Sequence, residues 1–211
     1  MAALESLFST PVTAMAGDTL APAKVLNVRY TVEQGKVHLS WDPVTTNADG
    51  STLTDLAGYR IYRKNDATSA LALVGNVSTT VDSQVTIFSD TTMLDGASYI
   101  YVVTAIDNET TPNESVASDE LAVKTIPSVP LNLAATSGDQ LIHLTWDSVK
   151  DANQTKKNEN LAGYKIYRKL SSDSEYTFLA QVSGDVTVYN DTTVVNNQSY
   201  NYVVTSIDNS L

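Results

Sequence analysis

The sequence predicts an all-β protein built from two tandem β-sandwich domains, and two observations predict it. The first is an internal repeat: "VHLSWDPV" at 37–44 returns as "IHLTWDSV" at 142–149, and "LAGYRIYRK" at 56–64 returns as "LAGYKIYRK" at 161–169. The second is that each repeated block alternates as a strand does, with Gly, Asn, Asp and Pro clustered between the blocks and no convincing amphipathic helix. A shift of 105 positions between copies matches a domain, since solenoid repeats run roughly 20 to 50 residues.

The "VHLSW" block reads as a half-buried strand. Val37, Leu39 and Trp41 fall on one face, and His38 and Ser40 fall on the other, because successive side chains of a strand point to opposite faces. The copy in the second half repeats this arrangement of apolar and polar positions. We expect the apolar face to lie in the core of each domain.

A third repeated block, "DTTMLDGASYIYVVTAIDN", returns as "DTTVVNNQSYNYVVTSIDN" with a shift of 101 positions. The smaller shift implies a four-residue deletion between the blocks, which suits a surface loop. Within the block, Tyr99, Tyr101 and Val103 share one face, and Tyr200, Tyr202 and Val204 share the corresponding face. β-Branched and aromatic residues dominate both copies, as expected for strands.

Composition and charge exclude several function classes. The 211 residues are 42% hydrophobic and 18% charged, which is ordinary for a folded protein, and the net charge is −11. The net charges are −8 up to Ile126 and −3 after it, so neither half is a basic module, and both nucleic acid and anionic membrane surfaces are unfavourable partners. Cysteine is absent, and no apolar run approaches the ~18 residues of a membrane span.

The repeated blocks resemble fibronectin type III domains of prokaryotic extracellular proteins. The resemblance rests on Trp41, on the "AGYRIYRK" strand and on "LDGASYIYVVTA". In the last block Leu94, Gly96 and Tyr99 correspond to the family's corner between its fifth and sixth strands. The second copy has the counterparts Trp146, Tyr164, Tyr200, Val195 at the leucine position and Asn197 in place of glycine.

The resemblance implies two immunoglobulin-like sandwiches and an extracellular or cell-surface protein. We assign 1–21 to an N-terminal extension, 22–126 to the first domain and 127–211 to the second. The fold itself serves as spacer, adhesion module and interaction surface, so it does not specify a function.

No catalytic, cofactor or metal site is predicted, and the chain is interpreted as a non-enzyme. His38 and His143 are equivalent positions in separate domains, which favours two solvated histidines over a metal pair. The segment "NADGS" at 47–51 resembles the start of a calcium loop but lacks its downstream glutamate, which favours a polar loop over a calcium site formed by Asp42, Asp49 and Asp55.

A stripe of alternating basic and aromatic residues is a further candidate. Arg60, Arg63 and Lys64 alternate with Tyr59 and Tyr62, and the second copy repeats this with Lys165, Arg168 and Lys169. The stripe could bind an acidic glycan or the carboxylates of a protein partner, although solvated charges on a strand are the more common arrangement.

The favoured functional hypothesis is a structural subunit that polymerises with copies of itself. From Tyr99 to Ile126 the first domain has 28 residues, whereas Tyr200 to Leu211 has 12, so we expect the second domain to lack its last strand, G. The N-terminal extension resembles the donor strands of donor-strand-exchange pili, which would give a head-to-tail filament. The predicted polymer interface joins Leu4, Phe8 and Val12 of one copy to Tyr200, Tyr202 and Val204 of another.

The alternative hypothesis is a piece of a larger cell-surface or secreted protein. Its two domains would then act as spacers, adhesion modules or carbohydrate-binding accessories. Partners under this hypothesis are surface glycans or other cell-surface proteins.

Overall fold

The computed structural model describes residues 6–13, 17–150 and 161–208. Seven strands lie in the first half: β1 (Arg29–Glu33), β2 (Lys36–Ser40), β3 (Leu56–Lys64), β4 (Ala72–Ser78), β5 (Ile87–Asp90), β6 (Ser98–Asp107) and β7 (Leu121–Lys124). Six lie in the second: β8 (Ala134–Gly138), β9 (Leu141–Thr145), β10 (Leu161–Leu170), β11 (Thr177–Ser183), β12 (Val188–Asp191) and β13 (Tyr200–Asp208). Within the described ranges no helix is long and apolar enough to cross a membrane.

The first half is a two-layer sandwich. One sheet has the strand order β1-β2-β5 and the other β4-β3-β6-β7, and every pair is antiparallel. This is the three-plus-four arrangement of a fibronectin type III domain. The predicted fold class is therefore confirmed for this half.

The second half repeats the architecture. Its sheets have the orders β8-β9-β12 and β11-β10-β13, so β8 to β13 correspond to β1 to β6. Among the described residues β13 pairs with β10 alone, whereas its counterpart β6 lies between β3 and β7. The side chains of β13 are mostly half-buried, while most of those of β6 are buried.

Each core is organised around a tryptophan–tyrosine pair. The Trp41 and Tyr59 rings meet edge to face, with centroids 5.2 Å apart, and Trp146 repeats the contact with Tyr164 at 5.4 Å. Edge-to-face pairs stabilise by about 0.5–1.5 kcal/mol beyond the area they bury. The buried Tyr59 hydroxyl also accepts a hydrogen bond from the Val44 amide at 3.1 Å. The predicted core positions of β2 and β6 are buried as expected.

The predicted tyrosine corner is present, with one correction. The Tyr99 hydroxyl accepts a hydrogen bond from the Leu94 amide at 3.0 Å, and Gly96 has the positive φ of +68° that the turn needs. However, the apolar residue that fills the core there is Met93, which is 6% exposed, while Leu94 is 40% exposed. The leucine position was therefore misassigned by one residue, because the turn directs the side chain before Leu94 inward.

The second corner has the same geometry. The Val195 amide donates to the Tyr200 hydroxyl at 3.0 Å, and Asn197 adopts a φ of +66°. Asparagine is among the few residues that tolerate this left-handed conformation, so it replaces glycine without loss of the turn. Val194 is buried here, and the predicted Val195 is 60% exposed.

The glycine in "AGY" is required by close packing between strands. A Cβ atom at Gly58 would lie 2.4 Å from the Val77 carbonyl oxygen, and one at Gly163 would lie 2.2 Å from that of Val182. Both contacts are with backbone, which cannot move without disturbing the pairing of β3 with β4 or of β10 with β11.

A buried carboxylate joins the two sheets of the first sandwich. Asp90, the last residue of β5, is 1% exposed. Its Oδ2 atom accepts from the Arg63 guanidinium of β3 at 2.6 Å and from the Tyr101 hydroxyl of β6 at 2.7 Å. Its Oδ1 atom accepts from the amide and hydroxyl of Thr92 at 2.8 and 2.7 Å. The Arg63 guanidinium also lies over the Tyr99 ring, 4.6 Å from its centroid.

The second sandwich contains the same network. Asp191 is fully buried and accepts from Arg168 at 2.7 Å and from the Tyr202 hydroxyl at 2.7 Å. Thr193 donates from its amide and hydroxyl, and Arg168 lies 5.0 Å from the Tyr200 ring centroid. Every carboxylate oxygen is thus occupied, as buried charges require.

Both networks hold the aspartate ionised. Burial alone would raise the pKa of Asp90, but the hydrogen bonds from Tyr101 and Thr92 and the charge of Arg63 outweigh it, so the pKa lies below its usual value. The pKa of Asp191 is lowered by the same opposing contributions. Burial, reinforced by the neighbouring carboxylate, raises the pKa of Tyr101 and keeps its hydroxyl proton available for donation.

Replacing Asp90 with asparagine is expected to destabilise the first sandwich by about 3 kcal/mol, because Arg63 loses its charged partner inside the fold. Equilibrium urea unfolding should be followed by Trp41 fluorescence in a Trp146→Phe background, since the chain has two tryptophans, one in each sandwich. Asp82→Asn is the matched control: because Asp82 is exposed, this variant should lower the unfolding free energy very little. A loss below about 1 kcal/mol for Asp90→Asn would contradict the account.

The loss in unfolding free energy caused by Asp90→Asn should also become smaller at acidic pH. Because the folded-state pKa is lowered, the carboxylate stabilises the fold above the unfolded-state value near ~4, and this contribution disappears as pH falls through the folded-state pKa. Unfolding free energies of the parent chain and the variant should therefore converge between about pH 5 and about pH 2. A difference that stays constant over this range would show that Asp90 does not act through its charge.

Candidate functional site

The predicted basic and aromatic stripe of β3 is divided between two faces. Tyr59 and Arg63 point into the sandwich, where Tyr59 contacts Trp41 and Arg63 binds Asp90. Arg60, Tyr62 and Lys64 lie on the outward face. The five residues do not form one surface, because alternation along the strand sends neighbouring residues to opposite sides.

In the first sandwich the outward positive charges are paired. The Glu114 carboxylate accepts from the Arg60 guanidinium, from the Tyr62 hydroxyl at 2.7 Å and from the Thr104 hydroxyl at 2.5 Å. Burial would raise the pKa of Glu114, but these hydrogen bonds and the Arg60 charge lower it. Lys64 forms an ion pair with Glu120. This face therefore offers little unpaired charge to a ligand.

The corresponding face of the second sandwich carries aromatic rings instead. Phe178 on β11 meets Tyr167 on β10 edge to face, with centroids 5.9 Å apart. The Lys169 ammonium lies 5.0 Å from the centroid of the Tyr176 ring. Phe178 is 58% exposed and Tyr176 is 40% exposed, and no described carboxylate pairs with Lys165 or Lys169. We call these five residues the aromatic–lysine face.

The two histidines are separate, partly buried side chains. His38 Nδ1 lies 2.7 Å from the Ser89 hydroxyl, and its Nε2 lies 3.6 Å from Glu33. His143 Nδ1 lies 2.6 Å from the Asn190 side-chain oxygen. Each imidazole ring therefore has its polar partner within its own sandwich.

The carboxylates of the calcium candidate do not converge. Asp42 forms an ion pair with Arg29 at 2.9 Å, and Asp49 accepts from the amide and hydroxyl of Ser51 at 2.9 and 2.6 Å. Burial and neighbouring carboxylates raise the pKa of Asp55. Across residues 6–13, 17–150 and 161–208, no group of three His, Asp or Glu side chains is placed to hold a metal ion.

The structure describes five of the six residues of the predicted polymer interface. Phe8 and Val12 are fully or almost fully exposed, at 101% and 92%, and Leu4 lies outside the described residues. On β13, Tyr200, Tyr202 and Val204 are half-buried. The Tyr200 and Tyr202 hydroxyls serve the corner and the Asp191 network. The polymer interface stays a prediction.

Two sets of important residues were not predicted from the sequence. Asp90 and Asp191 organise the sheet-to-sheet contacts. They could have been found from the "DTT" that starts the third block in both copies, since each is its first residue. Tyr176 and Phe178 are two of the five residues of the aromatic–lysine face, and they lie outside every repeated block. A comparison of the two copies of β4 and β11 would have found them, because Phe178 occupies the position that Leu73 has in the first sandwich.

The sequence is similar to segments of large glycoside-degrading enzymes, although no family model matches it. Exoglucanase B of Cellulomonas fimi is 29% identical over 201 residues, covering 92% of this chain and 16% of that protein. The amylopullulanase of Thermoanaerobacter thermohydrosulfuricus is 31% identical over 124 residues, covering 59% of this chain and 7% of that protein. The chain thus spans a small share of the relatives it matches.

Solved structures include a more distant match. The crystal structure of the chicken CNTN1 FN1–FN3 domains shares 15% identity, with a TM-score of 0.40, and the match covers 89% of this chain and 62% of that one.

Proposed function

We propose that this chain is a non-catalytic accessory unit of a larger extracellular protein that degrades polysaccharide, and that it holds the polysaccharide for a catalytic domain elsewhere. The observation that carries the proposal is the extent of the match with exoglucanase B, which includes 92% of this chain but only 16% of the enzyme. The amylopullulanases match over even smaller shares of their length. Such a pattern is typical of a module attached to an enzyme.

The two buried aspartates are engaged within the fold. Hydrolysis of a glycosidic bond commonly uses two carboxyl groups that face each other across a cleft, about 5–9.5 Å apart. The buried carboxylates Asp90 and Asp191 are instead saturated by arginine, tyrosine and threonine. They act on the fold and leave no lone pair for a substrate.

An extracellular location follows from the same proposal. A polysaccharide met outside the cell is too large to enter it intact, so a protein that holds such a polymer for degradation works outside the cell. Two sandwiches without cysteine fold in any redox environment.

The purified chain should bind insoluble polysaccharide without hydrolysing it. Incubation with cellulose, starch and a plant cell-wall preparation should release no reducing sugar, while the chain should sediment with at least one of the three. An Asp90→Asn, Asp191→Asn double variant, unfolded or loosened by loss of both networks, controls for non-specific adsorption. Release of sugar, or failure to sediment with any of the polymers, would contradict the proposal.

Self-assembly through the N-terminal extension is the second candidate function. It is favoured by the full exposure of Phe8 and Val12 and by the half-buried face of β13, which could accept a further strand. A Phe8→Asp, Val12→Asp variant should abolish any concentration-dependent growth in particle size seen by light scattering. A parent chain that stays monomeric at every concentration would eliminate this candidate.

A further inference from the structure

We propose that the linker between the two sandwiches holds them at one fixed angle, so that the tandem moves as a single rigid body. This conformational property goes beyond the proposed accessory function and does not depend on it. Relative motion is the usual expectation for two domains joined by a short linker. Here every residue from 125 to 131, a segment we call the joint, is either hydrogen-bonded to a sandwich or restricted by a proline.

The start of the joint belongs to the first sandwich. Thr125 is buried, and its hydroxyl donates to the Leu94 carbonyl at 2.7 Å and accepts from the Ala97 amide at 2.8 Å. The Gly96 amide donates to the Ile126 carbonyl at 2.9 Å. The corner turn of the first sandwich therefore holds the chain as far as Ile126.

The end of the joint belongs to the second sandwich. The Leu131 carbonyl accepts from the Asp147 amide at 2.9 Å, and the Ser128 carbonyl accepts from the Ser206 hydroxyl at 2.7 Å. Ser206 lies on the inward face of β13, since its counterpart in the first sandwich, Ala105, is a core residue. The contact is therefore made from inside the second sandwich and not along the edge of β13.

Ser128 is shared by the two sandwiches. Its carbonyl accepts from Ser206 of the second, whereas its hydroxyl donates to the Asp95 carboxylate of the first at 3.3 Å. Asp95 is itself fixed in place, because it also accepts from the Gly35 amide at 3.1 Å and from the Gln34 side chain. One residue therefore couples the corner turn of the first sandwich to the interior of the second.

Prolines restrict the positions between these contacts. Pro127 directly precedes Ser128, and Pro130 directly precedes Leu131. The proline ring fixes φ near about −65°, and the residue before a proline is kept out of the α region. Val129 is thereby confined to extended conformations. The joint therefore lacks the torsional freedom of a flexible linker.

The distance between the sandwiches should be measured by pulsed electron paramagnetic resonance on the 211-residue chain, which has no cysteine of its own. Asp82→Cys and Asp173→Cys place one spin label at an exposed position of each sandwich. Asp82→Cys with Ala122→Cys, both in the first sandwich, supplies the width of a rigid reference pair. We expect the distance distribution between the sandwiches to be as narrow as that of the reference pair.

Two variants of the joint should broaden this distribution. Pro127→Gly with Pro130→Gly should broaden it about twofold or more, because glycine restores the backbone freedom that the prolines remove. Ser128→Ala with Ser206→Ala should also broaden it, because both hydrogen bonds of the shared residue are lost. Pro11→Gly in the N-terminal extension is the matched control and should leave the width unchanged.

Trp41 and Trp146 fluorescence verifies that both sandwiches stay folded in every variant. A parent distribution much broader than the reference would overturn the inference, as would a narrow one that either variant of the joint leaves unchanged. Because the measurement uses no polysaccharide, failure of the accessory function would not affect its result. A flexible joint would in turn leave the accessory function standing.

Discussion

The structure depends on a buried aspartate that ties one sheet of each sandwich to the other. Asp90 ends β5 in the three-stranded sheet, and its partners Arg63 and Tyr101 belong to β3 and β6 of the facing sheet. Because an unpaired charge in this position would be costly, the three groups must be placed together. Their placement in turn fixes Tyr99, whose ring covers Arg63 and whose hydroxyl closes the corner turn.

The repetition of this network explains why the two halves keep the same shape despite different surfaces. Asp191, Arg168 and Tyr202 reproduce the contacts of the first sandwich, and Trp146 with Tyr164 reproduces the aromatic pair. With the interior held constant, side chains on the outward faces are free to differ. Leu73 and Phe178 occupy the same position of the sheet and give its outward face a different side chain in each sandwich.

The fold class and the inward faces of β2 and β6 were predictable, because alternation and repetition are local properties of the sequence. Partners that lie far apart in the chain were not. Arg63 and Asp90 are 27 positions apart, and no pattern along one strand reveals which strand of the opposite sheet it meets. For the same reason, the sequence did not show that Arg63 of the β3 stripe binds a buried carboxylate of the facing sheet, whereas Arg60 lies on the outward face. The corner residue Met93 was missed because the turn, rather than the strand period, sets its direction.

Sequence similarity to parts of large glycoside-degrading enzymes supports the proposed accessory role. The most direct test of this role is to measure the length of the native polypeptide that contains the tandem domains. An antibody against residues 22–208 should detect, in the culture medium, a polypeptide several times longer than 211 residues that migrates with polysaccharide-degrading activity on a zymogram. A polypeptide of about 211 residues without such activity would contradict it.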